Sequence, residues 1–169
     1  MSSSWFKAAA VSTLCALAAS CGGGDTEEAF EPNRVLAFGD ELSTLEADGR
    51  KHSINAFKIT DATTSPPTES ATELDCTRNP IWVQSVASAF GLVFDRCLGT
   101  ATTASGQILA QAGQKVADLP AQIAAVQGAA LNERDLALMM IGMHDILELY
   151  GRFPTESAAS LVEQARARA

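Results

Sequence analysis

Three stretches of the chain carry the apolar density of buried strands, and each stops at a glycine. Arg34 to Phe38 is a short apolar run ending in Gly39-Asp40, which suits a buried parallel strand delivering a loop at its carboxyl end. Gln107 to Ala112 is a weaker run ending at Gly113, and Leu136 to Ile141 is the strongest, six apolar residues between Asp135 and Gly142. Helical signals separate these runs. Asn79-Pro80 offers a cap and a first-turn proline, and Trp82, Val86, Ala89 and Phe90 then fall on one face. Asp118 and Pro120 open a second helix, with Ile123 and Val126 at core spacing and Gly128 closing it. Thr155 starts a final helix whose apolar side carries Leu161, Val162 and Ala165. Residues 46 to 80 show little periodicity and are expected to form a long loop or insertion.

Alternation of buried-type strands with helices predicts an α/β layered architecture around a parallel sheet. In such sheets the ligand crevice lies beyond the carboxyl ends of the strands. Gly39-Asp40-Glu41, Gly113 and Gly142-Met143-His144-Asp145 all stand at those ends, so three separate loops are expected to meet at one place. Leu138 to Ile141, methionines included, is expected in the core, with Trp82 as helix packing.

Composition narrows the class of partner. The 169 residues are 47% hydrophobic, enough for one domain with a buried core, and the net charge of -8 disfavours nucleic acid and anionic membrane surfaces. The start of the chain has the form of an address label. Lys7 supplies a positive region, Ala8 to Ala19 an apolar one too short to span a bilayer, and Ala18-Ala19-Ser20-Cys21 a small-residue cleavage site. That ending resembles a bacterial lipobox, which implies a signal peptide over 1–20, acylation of Cys21 and a membrane anchor. An ordinary secretory signal with a chance cysteine is the alternative. Residues 21–33, opening Gly22-Gly23-Gly24 and continuing through acidic residues, are expected to be a flexible tether, and the glycine after Cys21 resembles lipoproteins sent to the outer membrane. In such an envelope compartment Cys76 and Cys97 are expected to pair, stapling the ends of the first helix. Two free thiols and a metal pair are the alternatives.

The three loops resemble the first three blocks of the SGNH, or GDSL, hydrolase family of esterases and lipases. Block one is an apolar strand followed by Gly-Asp-Ser in the family and reads VLAFGDEL here; block two matches AQAGQKVADLPAQI; block three, ending Gly-x-Asn-Asp in the family, reads LALMMIGMHD. The resemblance covers residues 34–169. It implies a three-layer, flavodoxin-like fold, a small ester or acylated substrate, and no cofactor.

In that family the block-one serine attacks the ester. Its amide, the block-two glycine amide and the block-three asparagine side chain hold the oxyanion, and a C-terminal Asp-x-x-His supplies the base. Here the serine position is Glu41, the glycine is Gly113 and the asparagine position is His144, while no Asp-x-x-His follows. Serine chemistry is therefore expected to be incomplete, and the chain is expected to be the N-terminal portion of such a domain or to complete itself with a partner. Ser43 is a displaced candidate nucleophile, and Asp40, Glu41, His144 and Asp145 a candidate cation-binding set. Asp40 and Asp145 have the plainer role of tying loops through backbone amides. His52 is expected to be a solvated loop residue, and Glu156, Glu163, Arg166 and Arg168 a solvated helix face.

Overall fold

The computed structural model describes residues 28–128 and 130–168. The chain divides into two units, Met1–Phe30 and Glu31–Ala169, and the second carries the fold. The expected signal segment, Cys21 and most of the tether lie outside the described residues. Within the tether range, Arg134 donates to the Glu31 carbonyl at 2.9 Å and the Asn33 amide donates to the Arg134 carbonyl at 3.0 Å, so the body already begins there.

The sheet has three parallel strands, β1 (Arg34–Gly39), β4 (Gly106–Ile108) and β5 (Asp135–Met140), in the order β4-β1-β5. Strand β1 is central, pairing Val35 with Gly106 on one side and with Leu136 on the other. Its alternation sends Val35 and Ala37 to one face and Leu36 and Phe38 to the other, and all four are buried. Val35 and Ala37 pack with Val83 and Ala87 of helix α1 (Trp82–Ala89), and with Phe94, Ile108 and Leu138. Leu36 and Phe38 pack with Leu109, Leu119 and Val126 around helix α2 (Leu119–Ala124). Helical elements thus cover both faces of β1, giving a layered α/β arrangement. Each fully buried large side chain contributes about 1.5–3 kcal/mol relative to exposure. At the amino ends, Arg34 grips Asp135 through two nitrogens, at 2.8 and 2.5 Å, and fixes the β1–β5 register there.

At the carboxyl end the backbone closes tightly. Gly39 has φ +133, and a Cβ on it would lie 1.9 Å from the Met140 carbonyl oxygen. Its amide donates to Gln122 Oε1 and its carbonyl accepts from Gln122 Nε2, both at 2.8 Å, with the Gln122 side chain buried. A side-chain amide of α2 thereby satisfies the backbone at the turn that leads into residue 41.

Several sequence expectations are corrected. Residues 46–80 contain an antiparallel hairpin, β2 (Phe57–Asp61) and β3 (Thr68–Leu74), which is exposed on both faces and so has no apolar alternation to betray it. Helix α1 starts at Trp82, since Asn79 takes φ 51 and its carbonyl, like that of Arg78, accepts from the buried Lys51 ammonium. Its core face is Val83 and Ala87, whereas Phe90 is exposed. Strand β4 is three residues rather than six, and Ile123 faces outward while Gln122 is the buried residue of α2.

A helix that the pattern missed, α3 (Met143–Tyr150), follows β5 directly, and the last helix, α4 (Ala158–Arg168), begins later than Thr155 and buries Leu161 but not Val162. Met139 and Met140 are not core: they are 48% and 42% exposed on an edge strand.

The Cys76–Cys97 disulfide is formed and adjoins the cluster that holds Trp82, flanking α1 as expected. Replacing Gly39 by alanine is expected to cost at least about 2–3 kcal/mol, through strain at positive φ and collision with the Met140 carbonyl. Urea unfolding of wild type and Gly39→Ala checks this.

Candidate functional site

The sheet order places the ends of β4, β1 and β5 side by side, and the loops that follow them converge. Glu41 lies just after β1. Its Oε2 accepts the Gly113 amide at 3.0 Å, across a separation of 72 residues. His144 Nε2 lies 2.7 Å from both Glu41 carboxylate oxygens, across 103 residues. Gly113 takes φ +78, and this left-handed turn is what presents its N–H toward residue 41. His144 is in the first turn of α3, whose start is set by Gly142 at φ +114 directly after β5.

Burial pulls the Glu41 carboxyl toward a higher pKa, but the Gly113 amide, its own amide and His144 together outweigh this and hold it below 4.5. Glu41 is therefore ionised at neutral pH and can only accept hydrogen bonds, which puts the proton of this contact on His144 Nε2. The two side chains are 18% and 27% exposed, so the pair sits at the surface rim rather than in the interior.

The supporting carboxylates face elsewhere. Asp40 is fully buried; its Oδ1 accepts the Leu42 amide at 3.1 Å, and Oδ2 has no hydrogen-bond partner among the described residues. Asp145 accepts the Val116 amide at 2.9 Å and lies 3.5 Å from Arg168. Asp40 and Asp145 thus serve backbone amides instead of turning toward Glu41 and His144, and no cluster of three or more metal-ligating side chains forms among the described residues. Ser43 is fully buried and its Oγ accepts from Trp82 Nε1 at 3.2 Å, which leaves it without access to substrate. His52 pairs with Glu46 at 2.8 Å on the surface.

Four residues that matter here had no role in the sequence expectations, or the wrong one. Gln122 fixes the Gly39 turn. Lys115 and Arg168 both bind Glu148, the latter at 2.9 Å, and this lowers the Glu148 carboxyl to about 2, through the Arg168 hydrogen bond first and Lys115 second. The Gly113 loop, α3 and the end of α4 are thereby cross-linked next to His144. Arg168 is thus a tie between helices instead of part of a solvated face. Its partners, Asp145 and Glu148, stand three residues apart on α3, a helix the pattern did not predict, so its role left no signal in the sequence.

No family model, curated protein or solved structure matches the chain.

The lowered Glu41 and Glu148 carboxyls fix the sign of the acid response. A carboxyl depressed in the folded state contributes stability that is present above its unfolded pKa and is lost as pH falls through the folded value. Unfolding free energy is therefore expected to fall below about pH 4.5, with the Glu148 part of the loss extending toward pH 2. In Glu41→Gln/Glu148→Gln the decline over that window becomes shallower, as denaturant titrations at stepped pH will register.

Proposed function

We propose that this chain is built on the SGNH hydrolase plan and is an ester-hydrolase-type lipoprotein of the bacterial cell envelope in which serine catalysis is switched off at position 41. The observation that carries the reading is the pair of contacts from Gly113 and His144 to Glu41. These are the family's oxyanion positions, and on this alignment they meet the side chain at the serine position. The two donors that would hold the negative oxygen of an ester undergoing attack hold a permanent carboxylate instead. A substrate carbonyl entering this rim would meet neither a hydroxyl nucleophile nor an available donor pair, and would face a like charge as its oxygen became negative.

The parallel order of β4, β1 and β5, and the cover on both faces of β1, support the layered plan. The envelope placement rests on the lipobox-like Ala18-Ala19-Ser20-Cys21 and is consistent with a disulfide-bonded domain.

A second reading, a binding or structural lipoprotein on the same plan, is favoured by the same self-filled site, because it keeps the scaffold and needs no turnover.

Short p-nitrophenyl esters distinguish the two. Wild type and Glu41→Ala are expected to release no p-nitrophenol above the buffer rate, whereas Glu41→Ser, which vacates the donors and supplies a hydroxyl, is expected to acylate slowly and once, its hydroxyl proton passing to hydroxide in solution, so that release rises with pH. Turnover by wild type that Glu41→Ala abolishes would instead make Glu41 a catalytic carboxylate. For the anchor, labelled palmitate is expected to enter the protein in a bacterial host and to be lost in Cys21→Ala.

A further inference from the structure

We propose that the rim between residues 41, 113 and 144 is a binding site for a small carboxylate, and that Glu41 is its tethered occupant. The Gly113 amide donates at 3.0 Å to one Glu41 oxygen, and His144 Nε2 reaches both oxygens at 2.7 Å. A carboxylate held by a backbone N–H and a bridging imidazole N–H has its orientation fixed by the donors, and a free carboxylate of the same shape satisfies the same donors.

Neighbouring acids do not compete for the place. Asp40 is committed to the Leu42 amide, Asp145 to the Val116 amide and Arg168, and Glu148 to Lys115 and Arg168. When the Glu41 side chain is removed, the donors are left for a ligand from solution, and a monocarboxylate such as formate or acetate matches them in charge and in spacing. In the wild type the tethered group holds the site at a high effective concentration, so free carboxylate is excluded.

The site is therefore self-liganded: the chain carries at position 41 a copy of the carboxylate that ester cleavage would release. This rests on the same Glu41 contacts that carry the proposed function, but it needs only the donors and not turnover: a failed esterase assay leaves it standing, and a vacated form that takes an ester yet ignores acetate sinks it while leaving the family reading.

The test uses the full chain. Sodium acetate is expected to raise the melting temperature of Glu41→Ala in a saturating way, with a dissociation constant on the order of 1–10 mM for so small a ligand, while sodium chloride at equal ionic strength does not. Wild type shows no saturable response, and His144→Ala added to Glu41→Ala weakens acetate binding by roughly tenfold or more. Glu41→Ser serves as a second vacated form. In the wild type itself, the Gly113 amide proton resonance is expected to move as pH falls below about 4.5, following protonation of Glu41. The proposal is overturned if acetate and chloride act alike on both vacated forms, if the wild type binds acetate equally well, or if the Gly113 resonance ignores acid.

Discussion

Strand β1 is hydrogen-bonded along both edges and buried on both faces, and the geometry of the rim follows from that. A central parallel strand with neighbours on each side fixes where β1 and β5 end together, because register is carried residue by residue from Arg34↔Asp135 to Gly39↔Met140, while β4 stops at Ala37↔Ile108 and its chain goes on beside β1 through the Gln111 amide, which donates to the Gly39 carbonyl. The Arg34–Asp135 fork holds one end and the Gly39–Gln122 amide exchange holds the other. Loops leaving neighbouring strands at the same edge of the sheet are brought together. Glu41, Gly113 and His144, scattered over about a hundred positions, become neighbours through backbone pairing before any of their side chains interact.

Electrostatics then decides what the meeting point holds. A carboxylate that is largely buried at a rim is costly unless donors compensate it, and here an amide on a left-handed turn and an imidazole on the first turn of a helix do so. Around this pair a second layer of charge, Lys115, Glu148, Asp145 and Arg168, ties the Gly113 loop to both C-terminal helices. The two layers share no donor. Position 41 can therefore change its chemistry while the scaffold around it keeps its own contacts, and this separation is what makes a vacated form worth studying.

How much of this was legible in the sequence depends on what kind of signal each element leaves. Strand β1 was visible because a parallel strand covered on both faces is apolar at nearly every position, and β5 because Leu136 to Met140 are all apolar although most are not buried; the glycines that follow mark the rim. The convergence of 41, 113 and 144 was legible for the same reason. The hairpin over Phe57–Asp61 and Thr68–Leu74 was not, since strands wet on both faces lack a period-two pattern. Helix α3 was hidden because its first residues read as the loop after a strand, and its exposed Ile146, Leu147 and Tyr150 blur any single apolar stripe. Edge position also escaped the pattern: Met139 and Met140 look like core in one dimension and are exposed because no strand lies beyond β5 among the described residues. The direction of the Glu41 side chain, back toward Gly113 and His144, is a property of three-dimensional donor placement and left no trace in spacing.

Because the turn at Gly39 is locked by Gln122 and not by residue 41, the residue at 41 is open to exchange without rebuilding the backbone. An alanine codon lies one base change from a glutamate codon and one from a serine codon. A lineage can thus pass from one of these residues to another at position 41 through an alanine, with the Gln122 contacts that hold the turn left in place.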